Sequence, residues 1–400
     1  MKIKIAEKGL FVTIFWLPLL NIVMYIGLLV SLVGCSGRIY PTKETSALDW
    51  SVVIFTVIVF CSIFTSVNKL ASIYGFIAFC AYPIAYFVFS KNVNRENLSK
   101  ILNLIVLSFL VVVVIGALQA MIIIPHSFIN LSANKKIFDL LGWDISISVW
   151  RGARIVSTLG NSNVLGAYLV FVLPVLAGIF LQKPSLKKAI IFTLGVLLLF
   201  FTYSRSAWIG FFAGILAISI FSGKKLPVFL ITLLLASSLF IPAVRHRLQS
   251  GLSPSPGSGY SGRTAIWKTS LDIIRTYPIL GTGINTFYQV YPDFRKAPSE
   301  DFSHAHNMIL QVGCEAGFLG MASFIVFIGL FLVLASKVCK KFALEKSTAS
   351  DGWVIIGKIS AAIGFIAQNS FDCFLSRGQI GVLFFSFVGI IKGMDNLETV

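Results

Sequence analysis

Residues 189–222 read "AIIFTLGVLLLFFTYSRSAWIGFFAGILAISIFS", a run of thirty-four residues broken near its middle by Thr202-Tyr203-Ser204-Arg205-Ser206. A helix must supply ~17–25 apolar residues to cross ~30 Å of hydrocarbon. This run therefore predicts two membrane helices joined by a polar tip. Each half is short for a bilayer, about sixteen and seventeen residues, so the tip carrying Arg205 sits below the membrane surface. An arginine at that depth is expensive and usually faces a bundle interior or a water-filled cavity.

The same apolar pattern recurs on both sides of this pair. With 56% hydrophobic and only 12% charged residues, the chain has too little polar surface for a soluble globule. The predicted spans are 10–33, 48–66, 70–90, 101–124, 160–181, 189–204, 206–222, 226–244, 317–336, 353–371 and 379–392. Backbone groups in lipid have no water to bond, so each span is a helix. The fold class is all-α: one polytopic membrane helix bundle over residues 1–400, with about 11–12 transmembrane helices and one long external loop at 245–305.

"LVGC" at Leu32–Cys35 resembles a lipoprotein signal, but the apolar stretch before it is about twenty-four residues long, well beyond the ~7–15 of a signal core. It is read as a membrane helix. The six cysteines show no CxxC pairing and several fall inside spans, which points to neither a zinc site nor a disulfide framework.

Lysine and arginine in short connections mark the cytoplasmic side. "KNVNRENLSK", "QKPSLKK", "SGKK" and "SKVCKKFALEK" carry most of them, which makes 125–159, the tip near 205, 245–305 and 372–378 external. Eleven spans then put the lysine-rich N-terminus outside, against the same rule. Either a span is missing or Trp16-Leu17-Pro18 marks a re-entrant break. The net charge of +17 is accounted for by cytoplasmic loops facing anionic lipid headgroups and calls for no nucleic acid.

A sixty-one-residue loop in a compact protein is usually functional. Residues 245–305 open on "SGLSPSPGSGYSG" and then change character, for Trp267, Leu271 and Ile274 fall at i, i+4 and i+7. That spacing predicts an amphipathic helix on the membrane surface. It starts after Arg263, with Thr264 read as its N-cap, and ends at Tyr277-Pro278; "LGTGINTFYQVYP" follows as a turn-rich segment. A guanidinium beside a helix N-terminus suits phosphate oxygens.

Two of the four histidines stand two positions apart at the loop's end, His304 and His306. An HxH pair shares a side only in extended chain, and no ligand-spaced carboxylate or cysteine accompanies it, so no metal and no cofactor is assigned. His306-Asn307 starts a helix that runs through Glu315 into the next span, placing the imidazole toward the external cavity, where it suits taking a proton from a hydroxyl. Arg154, Asn163, Tyr203, Asn307 and Glu315 are secondary candidates for binding or orientation.

His306 and Asn307, nine residues, Gly317, two residues and Gly320 form a pattern that resembles the O-antigen ligase and O-antigen polymerase superfamily. "TYSRSAWIGF", "GRTAIWKTSLDIIRTYPILGTGINTF", "STLGNSNVLGAYL" and "FDCFLSRG" are similar to further segments of that family, so the likeness covers roughly 150–392. The resemblance implies a bacterial inner-membrane glycosyltransferase with a periplasmic active site. Its donor would be a glycan on undecaprenyl diphosphate, and its acceptor a lipid A core sugar or another glycan. On that reading His306 is the general base, Arg205 and Arg263 clamp the diphosphate, and transfer is metal-independent and inverting. A polymerase of the same superfamily differs in acceptor. A branch named for inorganic-carbon transport shares the "LGNSNVLGAYL" and "FDCFLSR" stretches, and is the alternative of a different class.

Overall fold

The computed structural model describes residues 2–35, 46–126, 154–223, 225, 259–295, 302–344, 349–373 and 377–396. Among them every regular element is helical: α1 Lys2–Trp16, α2 Asn21–Gly34, α3 Ala47–Cys61, α4 Lys69–Phe79, α5 Ala81–Asn92, α6 Arg95–His126, α7 Ser162–Gln182, α8 Leu186–Phe201, α9 Arg205–Ser222, α10 Gly259–Thr276, α11 Phe287–Phe294, α12 Met308–Leu344, α13 Ala349–Asn369 and α14 Gly378–Asn396. Among the described residues six stretches are long and apolar enough to cross a membrane: Lys69–Asn92, Glu96–Met121, Ser162–Gln182, Arg205–Ser222, Met308–Lys340 and Gly378–Asp395. The chain is a helical polytopic membrane bundle. The predicted span 226–244 and the loop's entry at 245–258 lie outside the described residues.

The first predicted span is not one helix. Pro18 has no N–H to give and disfavours helix at the residue before it; α1 stops at Trp16, whose carbonyl accepts from the N–H groups of Leu19 (3.0 Å) and Leu20 (2.8 Å). The chain then doubles back. Small residues let α1 and α2 lie almost in backbone contact: a Cβ on Gly34 would stand 2.4 Å from the Ala6 nitrogen, and one on Gly27 2.7 Å from the Thr13 nitrogen. The Ser31 hydroxyl donates to the Ala6 carbonyl at 3.0 Å.

This hairpin supplies the turn that the charge conflict calls for. Its tip lies beside segments that the charge rule puts outside, where Thr158 donates to the Pro18 carbonyl (2.6 Å) and Gln379 to that of Leu17 (3.0 Å). Its open end lies beside the basic 91–100 segment, where Lys100 faces Glu7 at 3.8 Å and Asn92 meets Cys35 at 2.7 Å. Two passes in place of one predicted span would return the lysine-bearing N-terminus to the side the charge rule expects. A cysteine placed at Lys4 should react with an impermeant maleimide from the same side as one placed at Lys100; labelling from opposite sides would refute the hairpin.

In the bundle's centre α7, α9 and α13 pack on small residues, as membrane helices do without a hydrophobic drive between them. A Cβ on Gly210 would sit 2.7 Å from the Gly364 carbonyl oxygen. The described helices α8 and α9 have 16 and 18 residues, about 24 and 27 Å at 1.5 Å per residue.

The external loop departs from expectation at its start. Helix α10 begins at Gly259, so Arg263 lies inside it rather than ahead of it, and Thr264 is not its N-cap. Its buried row is Ile266, Thr269, Ser270 and Ile273, while Leu271 is 43% exposed. The packing face lies one position off the larger apolar stripe because the smaller side chains fit against α12, where the Cys314 thiol donates to the Ser270 carbonyl at 3.4 Å. The turn-rich tail also folds further than expected, into α11.

Candidate active site

Helix α12 is broken at Gly317, which adopts φ 68° and ψ −167°, a region open essentially to glycine alone. In an unbroken helix the N–H groups of Phe318 and Leu319 would bond the carbonyls of Cys314 and Glu315. Instead Phe318 donates to Pro278 (2.7 Å) and Leu319 to Ile279 (3.4 Å), while Cys314 accepts from Thr282 (2.9 Å) and Glu315 from Gly283 (3.0 Å). The loop behind α10 is thus stitched into the gap, which fixes the short half-helix that begins behind the histidines.

Asn307 caps that half-helix. Its side-chain oxygen accepts from the N–H groups of Ile309 (3.0 Å) and Leu310 (3.1 Å), and its amide nitrogen donates to the Ser370 carbonyl at 3.1 Å. The second bond ties the start of α12 to the end of α13, and so brings His306 to Asp372. His306 Nδ1 lies 3.2 Å from Asp372 Oδ1, and His304 Nε2 lies 3.5 Å from the same oxygen. The two rings pack 4.2 Å apart, and Phe302 meets the His306 ring edge-on.

Asp372 is buried. Desolvation would raise its pKa, but hydrogen bonds from His304 and His306 and the histidines' charge more than reverse this, holding the carboxyl well below the usual carboxylate range. It is an acceptor, so in the neutral ring the His306 proton belongs on Nδ1, which leaves the lone pair on Nε2. Asp372 Oδ1 also accepts from the Cys373 N–H at 3.0 Å, and its Oδ2 from Ser206 at 3.3 Å.

Ser206 is the link to the α8–α9 tip. Thr202 ends α8, Tyr203 takes φ 49°, and Arg205 is the first residue of α9, half-buried. Arg154 braces this turn, donating from Nε to the Thr202 carbonyl at 2.7 Å and from Nη2 to the Asn163 side chain. Arg154 and Asn163 thus hold one another and the tip in place. Asn161 caps α7, accepting from Asn163 at 2.8 Å. Tyr203 and His306 are both non-glycine residues at positive φ, 49° and 48°, a strain that clusters at functional sites.

Arg263 sits one turn before Trp267, on the same face of α10. The Trp267 ring lies 6.3 Å from that of Phe371, the neighbour of Asp372. The Glu315 carboxylate accepts from Gln311 (2.9 Å) and the Phe287 N–H (3.3 Å), holding the entry to α11, and Glu315 also lines a cavity beside the histidines. A cavity of about 240 Å³ opens beside the cluster, with Phe55 and Phe79 on its apolar wall, Asn285 and Gln311 among its polar groups, and Ser303 and Cys373 next to the histidines and Asp372.

Residues 189–325, from α8 to the first half of α12, match the family model described as O-Antigen ligase. This segment belongs to the O-antigen ligase superfamily. No curated protein sequence matches the chain. The O-antigen ligase segment contains Arg205, Arg263, His306, Gly317 and Gly320, but not Asp372. That residue, with Ser206 and the contribution of His304, is absent from the sequence-based site. A lone acid between two spans has no spacing partner; the signal was its place in "FDCFLSR", at the external end of a helix.

Proposed function

We propose that this protein is a glycosyltransferase that moves a glycan from a polyprenyl (undecaprenyl) diphosphate carrier to an acceptor hydroxyl, such as one on a lipid A core sugar, at the periplasmic face of a bacterial inner membrane. The observation that carries this reading is the meeting of two parts of the O-antigen ligase segment at one buried carboxylate. Ser206, next to Arg205, bonds one oxygen of Asp372, and His306 faces the other. The cavity beside them, apolar on one wall and polar elsewhere, suits an amphiphilic substrate.

In this mechanism His306 Nε2 takes the proton from the acceptor hydroxyl, whose oxygen attacks the anomeric carbon from the face opposite the diphosphate. The sugar–phosphate bond breaks, the diphosphate leaves with the electron pair, and the configuration inverts. Asp372 holds the ring through Nδ1 and stabilises the imidazolium. Charge grows on the departing diphosphate, which calls for preorganised cations. Arg205 and Arg263 fill this role, and a planar guanidinium fork holds two phosphate oxygens in a fixed geometry that a lysine's point charge does not impose. No divalent ion is then required.

A lipid-diphosphate glycan and candidate acceptors, incubated with purified protein and chelator, give the test. Arg205→Ala and Arg263→Ala should each slow transfer about 10²- to 10³-fold, the usual cost of removing one charge-stabilising donor. Arg205→Lys should recover only part of it. Wild-type rates in both alanine variants would defeat the clamp. The ligase reading is preferred to the polymerase on the His306 to Gly320 motif, and glycan chains extended on the carrier itself would reverse that preference. The transport reading draws on the buried Lys358 and Gln368 of α13; bicarbonate flux in proteoliposomes would establish it.

A further inference from the structure

One ring nitrogen each of His304 and His306 and a carboxylate oxygen of Asp372 all lie within 4.8 Å of one another. Zinc bound tetrahedrally at ~2.0–2.2 Å needs ligand atoms about 3.3 Å apart. The two nitrogen-to-oxygen separations, 3.5 and 3.2 Å, already meet that requirement. The remaining edge, between the two imidazole nitrogens, asks the His304 ring to turn, and its side chain is 20% exposed. The other ligands are held: Asp372 by Ser206 and the Cys373 N–H, His306 by a left-handed backbone and the edge of Phe302.

Second-shell support is present too. Ligating histidines usually pass their other N–H to an acceptor, and His304 Nδ1 lies 2.8 Å from the Ser303 hydroxyl. Two imidazoles and one carboxylate favour zinc over magnesium or calcium, which prefer oxygen donors.

We propose that His304, His306 and Asp372 form an inhibitory zinc site, with a fourth position open to water. The inference rests on His306 being the base. Zinc takes the lone pair of Nδ1, so the proton carried there is lost and Nε2 acquires one from water; the ring stays neutral and the proton count is unchanged. Nε2 then donates where it had to accept, and the acceptor hydroxyl keeps its proton.

The test uses the full-length protein in detergent, stripped of metal, with zinc itself as the probe and a chromophoric chelator as competitor. One zinc per chain should bind. Losing even an outer-shell partner costs ~10- to 100-fold in metal affinity, so His304→Ala and Asp372→Asn should each weaken binding by at least about 100-fold. Cys373→Ser should not. Cobalt in the same site should give the visible absorption of a tetrahedral ion, and transfer should fall with zinc occupancy and recover on chelation.

No binding under excess zinc, or binding that survives His304→Ala, overturns the site; so does binding lost with Cys373→Ser, which would place the ion on the thiol. Transfer that rises with zinc overturns the inhibition. Should Asp372→Asn fail to fold, His304→Ala alone decides. A chain that binds zinc as stated but transfers no glycan defeats the glycosyltransferase reading and leaves the metal site standing.

Discussion

His306→Ala should lower transfer by about 10²- to 10⁴-fold, the usual worth of a positioned general base. At ~1.36 kcal/mol per decade this is roughly 3 to 5 kcal/mol of transition-state stabilisation. Folding should survive. The His306 side chain is 20% exposed, and its removal leaves Asp372 with His304, Ser206 and the Cys373 N–H as partners. The buried carboxylate is therefore not orphaned, which is the usual route to a large stability loss on truncating one member of a pair. The check is initial-rate transfer of a labelled glycan alongside a thermal melt. A variant that keeps more than about a tenth of the wild-type rate, or that melts many degrees earlier, removes His306 from the role of base.

The helices were legible because membrane crossing imposes a length and a composition that no tertiary contact can override. Where tertiary contact decides, the sequence was weaker. Twenty-four apolar residues look like one span whether or not they turn at Pro18; the sign of the hairpin was the charge imbalance it would otherwise have left. Gly259, Ser261 and Gly262 read as helix breakers, yet α10 runs through them, and its packing face follows the small residues that fit α12 rather than the largest apolar ones.

The site divides in the same way. His306 and Asn307 could be placed because an N-cap and its helix are local features, and Arg205 because its depth in an apolar run is a local cost. Asp372 stands 66 residues from His306 and 166 from Ser206, and only the packing of α12 and α9 about the end of α13 makes it the common partner. Beside His304 and His306 the sequence offers no third metal donor, and the third donor comes from that same distant connection.

Gly317→Ala should disable the protein from about 70 residues behind the loop's entry, without touching a reacting group. At φ 68° and ψ −167° a side chain costs on the order of 1–3 kcal/mol in backbone strain. The new Cβ would also stand 2.2 Å from the Ile279 carbonyl oxygen and 2.6 Å from the Leu280 nitrogen, backbone atoms that cannot rotate away. The less costly response is for α12 to straighten, so that Phe318 and Leu319 recover the Cys314 and Glu315 carbonyls and the loop is expelled. Four inter-segment hydrogen bonds go with it, each worth about 0.5–1.5 kcal/mol. The amides of Thr282 and Gly283 lose their acceptors directly, so their hydrogen exchange should accelerate at least about tenfold, while amides in α7 and α13 keep their protection. Transfer should fall with the loop, since Arg263 and the cavity wall at Asn285 hang from it. Unchanged exchange at Thr282 and Gly283 in a folded Gly317→Ala protein would mean that the helix break does not depend on glycine, and that the motif's first glycine serves some other end.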